Sequence, residues 1–395
     1  MGSTLVITND FPPRQGGIET FVHAMATRMP KDEVVVYTSH EPGAAAYDAT
    51  LPFPVVRDTT RMLLPTRRAT RRAVEIARAH GCDRVWFGAA APLGLMAPAL
   101  RRAGVRRMVA TTHGHEIWWA KTPGARQLMR RIGTGVDVVT YLGEYTRTRI
   151  EPALGPRGRM SRLVPGVDAG AFAADAVDDA AAEALRTKFA LHGKRVIVCV
   201  SRLVERKGQD ALIRALPQIR SRIPEAVLLI VGQGPYEKRL RELAREHGVE
   251  GAVRFAGGVP HADTPACYAV ADVFAMPCRT RKKGLEAEGL GIVFLEAAAS
   301  GLPVVVGDSG GAPDTVLDGR TGHVVDGNEP SAVARALTGV LDDPARAAEM
   351  GAEGRRWVAR EWSWDGSARH LMRLLTPEGE GEHPAQRTDA VSARH

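Results

Sequence analysis

The segment over residues 284–297 places two carboxylates in a pattern that suits sugar recognition. Glu288 stands in a glycine-rich loop, and Glu296 follows after seven intervening residues, in an apolar stretch with helical spacing. A glutamate on the buried side of a helix is costly unless a hydrogen-bond donor meets it. The two hydroxyls of a sugar diol are such donors, and Gly289 and Gly291 would let backbone amides approach a sugar or phosphate. The alternative is a capped helix with one surface glutamate.

Two cations lie in a second loop, over residues 201–208. Arg202 and Lys207 come just after an apolar, strand-like stretch, at the start of a helical pattern. They are therefore expected at the carboxyl edge of a sheet, where two cations near a helix start can bind a diphosphate. A solvated basic loop is the alternative.

Paired glycines follow the first strand-like stretch of the chain. Gly16 and Gly17 precede a helical pattern, and such a turn lets backbone N–H groups approach an anion at the helix N-terminus. A structural turn is the alternative. The pattern is not G-x-G-x-x-G, and no acidic residue follows the next strand where a dinucleotide fold has one, so NAD binding is disfavoured.

These loops must be positioned by strands, and the strand-like stretches come in two series. They are short, rich in Val and Ile, mostly without alternation, and separated by helix-length segments, as is typical of buried parallel strands. Such a series predicts a doubly wound α/β sheet, and two series predict two sheets, with ligands in the cleft between their carboxyl edges. The predicted strands are 4–8, 33–38, 84–87, 107–111, 136–141 and 160–164, then 195–201, 227–232, 253–256, 273–276 and 303–306.

The length of 395 residues is more than one core usually supports. We predict a first domain over residues 1–165 and a second over 166–357, joined by an Ala/Asp-rich linker. A C-terminal helix over 358–375 is expected to return to the first domain. The polar, Gly/Glu-rich stretch over 376–395 is expected to be a disordered tail.

The composition indicates what class of protein this is and in which compartment it is expected. Hydrophobic residues make up 44% and charged residues 25%, which excludes wholesale disorder. No apolar run approaches the roughly 18 residues that a spanning helix needs, and the N-terminus lacks a signal-peptide pattern. The four cysteines are far apart, as expected of reduced thiols in a cytoplasmic protein; they are Cys82, Cys199, Cys267 and Cys278.

The net charge of +8 is unevenly distributed. Residues 1–165 contain 24 Lys and Arg against 13 Asp and Glu, a net charge of +11, and the remainder carries −3. This asymmetry favours an anionic partner for the first half: a phospholipid headgroup, a polyanion or a phosphorylated substrate. Solubility alone is the alternative. With only 5% aromatic residues and no recognition motif, nucleic acid is disfavoured.

Together the motifs resemble those of the retaining glycosyltransferases of family four, which have the GT-B fold. Glu288 and Glu296, with Gly-Leu-Gly between them, resemble the family's E-x7-E signature. The loop from Arg202 to Lys207-Gly208 is similar to its donor-phosphate clamp, and Gly16-Gly17-Ile18-Glu19 to its N-terminal glycine loop. The resemblance covers residues 3 to about 375. Within the family, the chain is most similar to actinobacterial GDP-mannose-dependent phosphatidylinositol mannosyltransferases.

The resemblance implies a fold of two Rossmann-like domains that face a central cleft. It also implies that Arg202 and Lys207 neutralise the departing diphosphate and that Glu296 holds the ribose hydroxyls. Glu288 would hold hydroxyls of the transferred sugar, and His113, which stands after the fourth predicted strand where the family often has a histidine, would lie near the reaction centre. The implied catalytic residues are His113, Arg202, Lys207 and Glu288, and the implied donor-binding residues are Gly16, Gly17, Arg202, Lys207, Glu288, Gly289, Leu290, Gly291, Ile292 and Glu296.

Two departures from the family pattern are visible. Ser201 stands where the family commonly has glycine, and a basic insert over residues 279–283 precedes the glutamate loop and is expected to alter how the acceptor enters. The sequence contains no D-x-D motif. We therefore expect no metal and no other cofactor, with Arg202 and Lys207 stabilising the leaving group of GDP-mannose.

Arginines crowd the segment over residues 57–78. The apolar positions Ala69, Ala73, Ile76 and Ala77 follow helical spacing, and an apolar Met-Leu-Leu run over 62–64 precedes them. A basic amphipathic helix with an apolar lip predicts peripheral contact with the inner face of the cell membrane. An arginine-rich outer helix of the sheet is the alternative. The residues expected at the membrane or acceptor are Arg67, Arg68, Arg71 and Arg72.

Three functions remain in competition at this stage. The leading prediction is a membrane-associated enzyme that moves mannose from GDP-mannose to a phosphatidylinositol (mono)mannoside. The second is a family member that uses a UDP-sugar and a soluble acceptor, such as inositol phosphate or a natural-product aglycone. The third is a non-catalytic nucleotide-binding module, against which the intact glutamate pair and cation pair argue.

Overall fold

The strands of the computed structural model form two parallel sheets of the doubly wound type. The structure describes residues 2–156, 158–173, 176–284 and 286–377. The strands are β1 (Ser3–Thr8), β2 (Val34–Thr38), β3 (Val55–Arg57), β4 (Cys82–Phe87), β5 (Arg107–Thr111), β6 (Val138–Tyr141), β7 (Met160–Arg162), β8 (Arg195–Val200), β9 (Ala226–Val231), β10 (Val253–Gly257), β11 (Val273–Met276), β12 (Val304–Gly307) and β13 (Gly322–Val325).

Helices connect successive strands and cover both faces of each sheet. They are α1 (Gly17–Ala26), α2 (Ala44–Asp48), α3 (Arg67–Ala79), α4 (Ala97–Arg102), α5 (Glu116–Lys121), α6 (Pro123–Gly135), α7 (Glu144–Leu154), α8 (Asp179–Phe189), α9 (Gln209–Arg222), α10 (Glu237–Glu246), α11 (Thr264–Ala269), α12 (Ile292–Ala299), α13 (Pro330–Asp342), α14 (Pro344–Glu361) and α15 (Trp364–Leu375).

The first sheet has seven strands in the order β3-β2-β1-β4-β5-β6-β7. Its central strand β1 pairs in parallel with β2 and β4, so that Val6 lies beside Val36 and Trp86. The side chains of these three residues are fully buried, because helices pack on both faces of the sheet. The strand order reverses at β1 and β4, the place where ligands of open α/β sheets bind.

The second sheet has six strands in the order β10-β9-β8-β11-β12-β13. All its pairings are parallel, and β8 lies between β9 and β11. The two-sheet α/β prediction is therefore confirmed. The strands β3 and β13 were missed: each lies at a sheet edge, β3 has three residues and β13 begins with a glycine, so neither has the buried apolar run that marks a central strand.

Helix α15 packs on the first sheet although its sequence follows the second. Ala368, Leu371 and Leu375 are buried in the same cluster as Val6 and Trp86. The contact includes a hydrogen bond of 2.8 Å from the Arg107 side chain to the Leu374 carbonyl. The chain therefore crosses from one sheet to the other twice. The predicted tail over 376–395 lies outside the described residues beyond residue 377.

Helix α3 uses its apolar side inside the first sheet's core. Ala69, Ala73, Ile76 and Ala77 are buried there, so the alternative of an arginine-rich outer helix describes this element. The expected apolar lip is wrong at Leu63, whose side chain is fully buried in the same core. Asn9 bonds both the N–H and the carbonyl of Leu63 and so holds its backbone there. Within the described residues, no helix combines the length and the apolarity needed to span a bilayer.

Candidate functional site

The carboxyl ends of the two sheets face each other across a cavity of about 290 Å³. One wall comes from loops after β5 and β6 of the first sheet, and the other from the loop after β11 of the second. The residues that line it are His113, Gly114, His115, Ile117, Trp118, Lys121, Tyr145, Thr146, Gly284, Ala287, Glu288 and Gly289. Two of the residues singled out from the sequence, His113 and Glu288, therefore face one space from opposite sides.

The clamp loop over residues 201–208 and the glutamate loop over 284–291 are neighbours because their strands, β8 and β11, are paired. At Gly208, φ is +79°, and a Cβ atom there would lie 2.0 Å from the carbonyl oxygen of Pro277, at the end of β11. Glycine alone fits this backbone approach. It brings the end of the clamp loop against the start of the segment that carries the glutamates.

Glu288 is held by two cations of the clamp loop. Arg206 Nη1 and Lys207 Nζ each donate to Glu288 Oε2 at 2.7 Å, and the Glu288 side chain is 8% exposed. A buried carboxylate needs such partners, since an uncompensated one would cost several kcal/mol. The structure thus joins Lys207 to Glu288 and adds Arg206, which the sequence reasoning missed although it is adjacent to Lys207.

Arg202 differs from its neighbours in the clamp loop. Its side chain is exposed and has no hydrogen-bond or ion-pair partner among the described residues. Its backbone carbonyl accepts from the Gln209 amide at 3.1 Å, which fixes the backbone while the guanidinium stays free. Ser201, the departure from the family's glycine, accepts from the same amide at 2.8 Å and is accommodated.

Glu296 has two side-chain partners, His261 just before helix α11 and Tyr268 within that helix. Tyr268 Oη donates to Glu296 Oε2 at 2.9 Å, and His261 Nε2 lies 3.0 Å from Glu296 Oε1. Burial and the adjacent carboxylate raise the pKa of Tyr268 well above its ordinary value. The glutamate is 5% exposed, and the partner that its buried position demands is therefore supplied by the chain itself.

The backbone between the two glutamates is open at one glycine and constrained at another. A Cβ atom at Gly289 would meet no atom within 4 Å, whereas Gly291, with φ +87°, precedes the first turn of α12 and would press on Phe294. Leu290 is buried at 5% exposure, and Ile292 begins the helix. Amides at the start of α12 can thus be approached from the side of Gly289.

A loop after β12 supports the glutamate loop from below. Ser309 Oγ accepts from the Glu288 N–H at 3.3 Å, and Gly311 N–H donates to the Glu288 carbonyl at 2.9 Å. At Gly310, φ is +61° and a Cβ atom would lie 1.8 Å from the same carbonyl oxygen. Small residues after a buried strand were the signal that could have revealed this support.

The first residues of the basic insert connect the clamp loop to the glutamate loop. Arg279 donates two hydrogen bonds to the buried carboxylate of Asp210, at 2.9 and 3.0 Å, and its own side chain is 10% exposed. Arg281 pairs with Glu205 at 2.7 Å and with Glu286 at 3.2 Å. Each of these two arginines has carboxylate partners, so they tie the clamp loop to the glutamate loop.

His113 lies at the carboxyl end of β5, packed edge-on against Phe21 with 5.3 Å between ring centroids. Its Nε2 is 2.7 Å from the Gly88 carbonyl oxygen, which places a proton on that nitrogen. Burial lowers the pKa of His113 below its ordinary value, so the ring is neutral at neutral pH. Glu116, fully buried, accepts from the backbone N–H groups of His113 and Gly114 and fixes the turn.

The two N-terminal glycines have different surroundings. A Cβ atom at Gly16 would fall 2.2 Å from Glu19 Oε2, where that carboxylate folds back to pair with Arg14 at 2.9 Å. A Cβ atom at Gly17, the first residue of α1, would meet no atom within 4 Å. The backbone at Gly17 is therefore open to a ligand, while Gly16 serves the local turn.

One carboxylate of the second domain lies against the N-terminus of a helix of the first. A Cβ atom at Gly143, the residue before α7, would fall 2.2 Å from Asp314 Oδ2. Burial raises the pKa of Asp314 above its ordinary value, and the backbone N–H groups of Glu144 and Tyr145 oppose the rise. The contact joins the two walls of the cleft directly.

The four arginines expected at the membrane fall into two pairs. Arg68 donates to the buried carboxylate of Asp58 at 2.6 Å, and Arg72 pairs with Glu75 at 3.3 Å. Arg67 and Arg71 are exposed and have no partner among the described residues. Beside them, Met62 is 63% and Leu64 49% exposed.

The site residues that sequence reasoning missed share one property: their partners are distant in the chain. His261 and Tyr268 stand 35 and 28 positions before Glu296. Trp118, Lys121 and Tyr145 enter the cavity only because β5 and β6 end at the same edge. Among the described residues, no three His, Cys, Asp or Glu side chains are grouped so that they could hold a metal ion.

Chemically, the arrangement offers fixed cations and hydroxyl acceptors within one cleft. Glu288 and His113 line the cavity, and Glu288 has one carboxylate oxygen that neither Arg206 nor Lys207 occupies. Arg202 and Lys207 are not among the lining residues, but the clamp loop that carries them adjoins Glu288 and can offer cations to a diphosphate. Cations of this kind stabilise a departing phosphate as its bond to carbon breaks.

Comparisons with known proteins agree with this chemistry. A family model described as "Glycosyl transferases group 1" matches residues 182–357, and one described as "Glycosyltransferase Family 4" matches residues 15–170. Among solved structures, HepE of Anabaena in complex with UDP has a TM-score of 0.76 and 19% identity, with 95% of this chain and 99% of that chain covered. This likeness concerns the fold.

Two curated relatives are similar over nearly their whole length. The "GDP-mannose-dependent alpha-(1-6)-phosphatidylinositol monomannoside mannosyltransferase" of Mycolicibacterium smegmatis is 49% identical over 376 residues, covering 94% of this chain and 98% of the relative. The "GDP-mannose-dependent monoacylated alpha-(1-6)-phosphatidylinositol monomannoside mannosyltransferase" of Corynebacterium glutamicum is 46% identical over 377 residues, covering 95% and 98%.

Proposed function

The chain belongs to family 4 of the glycosyltransferases, and we propose that it transfers mannose from GDP-mannose to a phosphatidylinositol monomannoside. The observation that carries the proposal is the identity of 46–49%, across nearly full length, to enzymes named for this reaction. The cleft is consistent with it, because cations of the clamp loop stand beside Glu288 on the second-domain wall and the first-domain wall belongs to the basic half of the chain.

In this reaction the bond between the anomeric carbon of mannose and the diphosphate breaks, and a bond to an acceptor hydroxyl forms. GDP leaves, and the hydroxyl proton passes to a departing phosphate oxygen on the same face of the sugar. The donor is α-linked and the relatives' names specify an α product, so configuration is retained. We assign Arg202 and Lys207 to the diphosphate, Glu288 to the mannose hydroxyls and Glu296 to the ribose.

No metal takes part in this proposal. Arg202 has no partner among the described residues and lies exposed in the clamp loop, and Lys207 stands five residues further along it. Fixed cations of this kind can stabilise the charge that a metal ion stabilises in other transferases.

The experiment that tests the donor and acceptor is a transfer assay with paired substrates. The purified protein is given GDP-mannose or UDP-glucose, each with phosphatidylinositol monomannoside or with free inositol 1-phosphate. We expect a mannosylated lipid product only from GDP-mannose with the lipid, and a thermal shift with GDP that exceeds those with UDP and ADP. Turnover of UDP-glucose onto inositol phosphate would instead support the soluble-acceptor alternative.

The acceptor's acyl chains require the enzyme to reach a bilayer. We propose peripheral contact through Arg67 and Arg71 with the exposed side chains of Met62 and Leu64, while the apolar side of α3 stays in the core. Each basic residue near an anionic leaflet contributes about 1 kcal/mol. The protein should float with vesicles that contain anionic phosphatidylinositol, and less so in high salt.

A matched pair of variants tests this surface. Arg67→Ser with Arg71→Ser should reduce vesicle binding by about tenfold or more, because two unpaired charges near the leaflet are lost. Lys238→Ser with Arg245→Ser, two exposed basic residues on α10 of the second domain, is the control with the same loss of charge and should bind vesicles as wild type does. Equal flotation of wild type and the Arg67/Arg71 variant would remove this surface as the membrane contact.

A further inference from the structure

The first-domain wall of the cleft carries two side chains for which donor binding has no use. Trp118 and Lys121 lie one turn apart on α5, and both line the cavity that Glu288 faces. Neither belongs to the clamp loop or the glutamate loop. They stand opposite the donor side, where an acceptor must enter.

Lys121 places a cation at the cavity. Its side chain is exposed, and it has no ion-pair or hydrogen-bond partner among the described residues. Its Nζ lies 3.6 Å from the position that a Cβ atom would take at Gly284, in the glutamate loop of the opposite wall. The Lys121 side chain thus reaches across the cleft, and its ammonium group lies beside the start of the glutamate loop.

The charge around the cavity favours an anion. Glu288, the carboxylate among the lining residues, already meets Arg206 and Lys207 at 2.7 Å each. Glu116, beneath the wall, accepts from two backbone N–H groups through Oε2, while its buried Oε1 has no hydrogen-bond partner among the described residues. The three cations Arg206, Lys207 and Lys121 outnumber the two carboxylates Glu288 and Glu116, so the surroundings of the cavity carry a net positive charge, which attracts an anionic ligand.

Trp118 supplies an apolar plane next to this charge. Its side chain is 56% exposed. Among the described residues, the other large apolar side chains with a similar exposure are those of Met62 and Leu64. Its ring stands edge-on to Trp119, with 6.3 Å between centroids, so α5 holds the indole in place. An aromatic face beside a few polar groups is how small-molecule sites bind the apolar C–H face of a ring and orient its hydroxyls.

We propose that Trp118 and Lys121 bind the phosphorylated polyol headgroup of the acceptor, with the phosphodiester on Lys121 and the ring on Trp118. This inference rests on the proposed function and deepens it, because it assigns the acceptor's recognition to two residues of α5. The phosphate then lies at the mouth of the cavity and the polyol hydroxyls inside it, towards Glu288 and His113.

The test separates the phosphate from the ring. The probes are deacylated phosphatidylinositol monomannoside and the same mannosylinositol without phosphate, titrated by calorimetry into GDP-saturated protein. Lys121→Gln should weaken the phosphorylated probe by about 10- to 100-fold, as for a lost charge-assisted hydrogen bond, and leave the neutral probe unchanged. Trp118→Ala should weaken both probes by a similar factor.

Lys31→Gln is the matched control, because Lys31 is an exposed lysine of the same domain that precedes β2, at the edge of the sheet away from the cleft. GDP affinity and melting temperature should be the same in all four proteins. If Lys121→Gln binds the phosphorylated probe as wild type does, or weakens both probes equally, the phosphate assignment is wrong. Unchanged affinity in Trp118→Ala overturns the ring assignment.

Failure of this inference is distinguishable from failure of the proposed function. If wild type transfers mannose to the lipid and both variants do so with unchanged KM for the acceptor, the headgroup site is wrong and the function stands. If wild type transfers no mannose but binds the phosphorylated probe through Lys121, the site stands and the function is wrong.

Discussion

The two walls of the cleft differ in how far their polar side chains are buried and paired within the chain. On the second-domain wall, Glu288 and Glu296 are 7% and 5% exposed, and each is held by two side chains of the chain itself. On the first-domain wall, Lys121 has no partner among the described residues and Trp118 is 56% exposed. The two carboxylates of the second domain are paired before any ligand arrives, whereas the lysine and the indole of the first-domain wall are left to water.

The difference follows from burial. A carboxylate removed from water must be compensated in the free protein, so the donor side is built as a network whose members fix one another. An exposed lysine or indole costs little in the free protein and can be satisfied by a ligand later. Variants on the donor side should therefore disturb several groups at once, whereas variants on the other wall should change the affinity for one ligand.

The largest effect is expected at Lys207, which belongs to the network. Lys207→Ala removes a clamp cation, and the transfer rate should fall by about 10²-fold or more, as for other electrostatic stabilisers. Lys238→Ala, an exposed lysine on α10, is the control and should keep wild-type activity. EDTA should leave wild-type activity intact; complete inhibition that magnesium reverses would contradict the metal-free clamp.

The two glutamates should separate binding from turnover. Glu296→Ala should weaken GDP about tenfold, since a hydrogen-bonded carboxylate is lost, whereas Glu288→Ala should bind GDP as wild type does and lose turnover of GDP-mannose. Calorimetry with GDP measures the first and the transfer assay the second. Glu296→Gln, which can still accept from Tyr268, controls for stability. Equal GDP affinity in wild type and Glu296→Ala would reject the ribose assignment.

A third comparison uses the two adjacent glycines on the open wall. Gly17→Ala places a methyl group in open space, so the melting temperature should not change, while transfer should fall about tenfold if a ligand approaches that backbone. Gly16→Ala displaces the Glu19 carboxylate, whose side chain is only 7% exposed, from its pair with Arg14 and should lower the melting temperature more than Gly17→Ala does. Full activity in Gly17→Ala would show that no ligand contacts this turn.

The smallest effect is expected at His113, which is buried although it belongs to the first-domain wall. Because burial lowers the pKa of His113, its neutral ring should persist below pH 6.5, the value of a free histidine. As pH falls, kcat/KM should therefore stay level through pH 6.5 and decline only below it, when the ring takes up a proton. The profile of His113→Gln should lack this decline. A wild-type decline centred above pH 6.5 would contradict the assignment.

Much of the fold could be predicted because its signal is local. Runs such as Ala226–Val231 are apolar throughout and mark central strands, whereas the edge strands β3 and β13 are short and partly exposed and gave no such signal. The position of Leu63 was missed for a different reason. Its side chain packs in the core of the first sheet and its backbone is bonded by Asn9, 54 residues earlier, and no local pattern contains such long-range contacts.

In the candidate site, too, local sequence features could be predicted and long-range contacts could not. Glu288, Glu296 and Lys207 could be selected because the segments that follow strand-like apolar stretches can be recognised in the sequence. Their roles stay predictions. Their partners His261 and Tyr268 could not be selected, since only the packing of α11 against α12 brings them to Glu296. Sequence spacing indicates which residues can do chemistry; the pairing of charges depends on which strands lie side by side.

The position of Asp314 against the start of α7 offers a place to measure how firmly the two domains are held together. This carboxylate of the second domain lies beside the backbone N–H groups of Glu144 and Tyr145 in the first domain. A separation of the two walls would expose both N–H groups to solvent. If a ligand holds the walls together, it should therefore slow hydrogen exchange at these two groups, and the size of the slowing gives the free energy with which it does so.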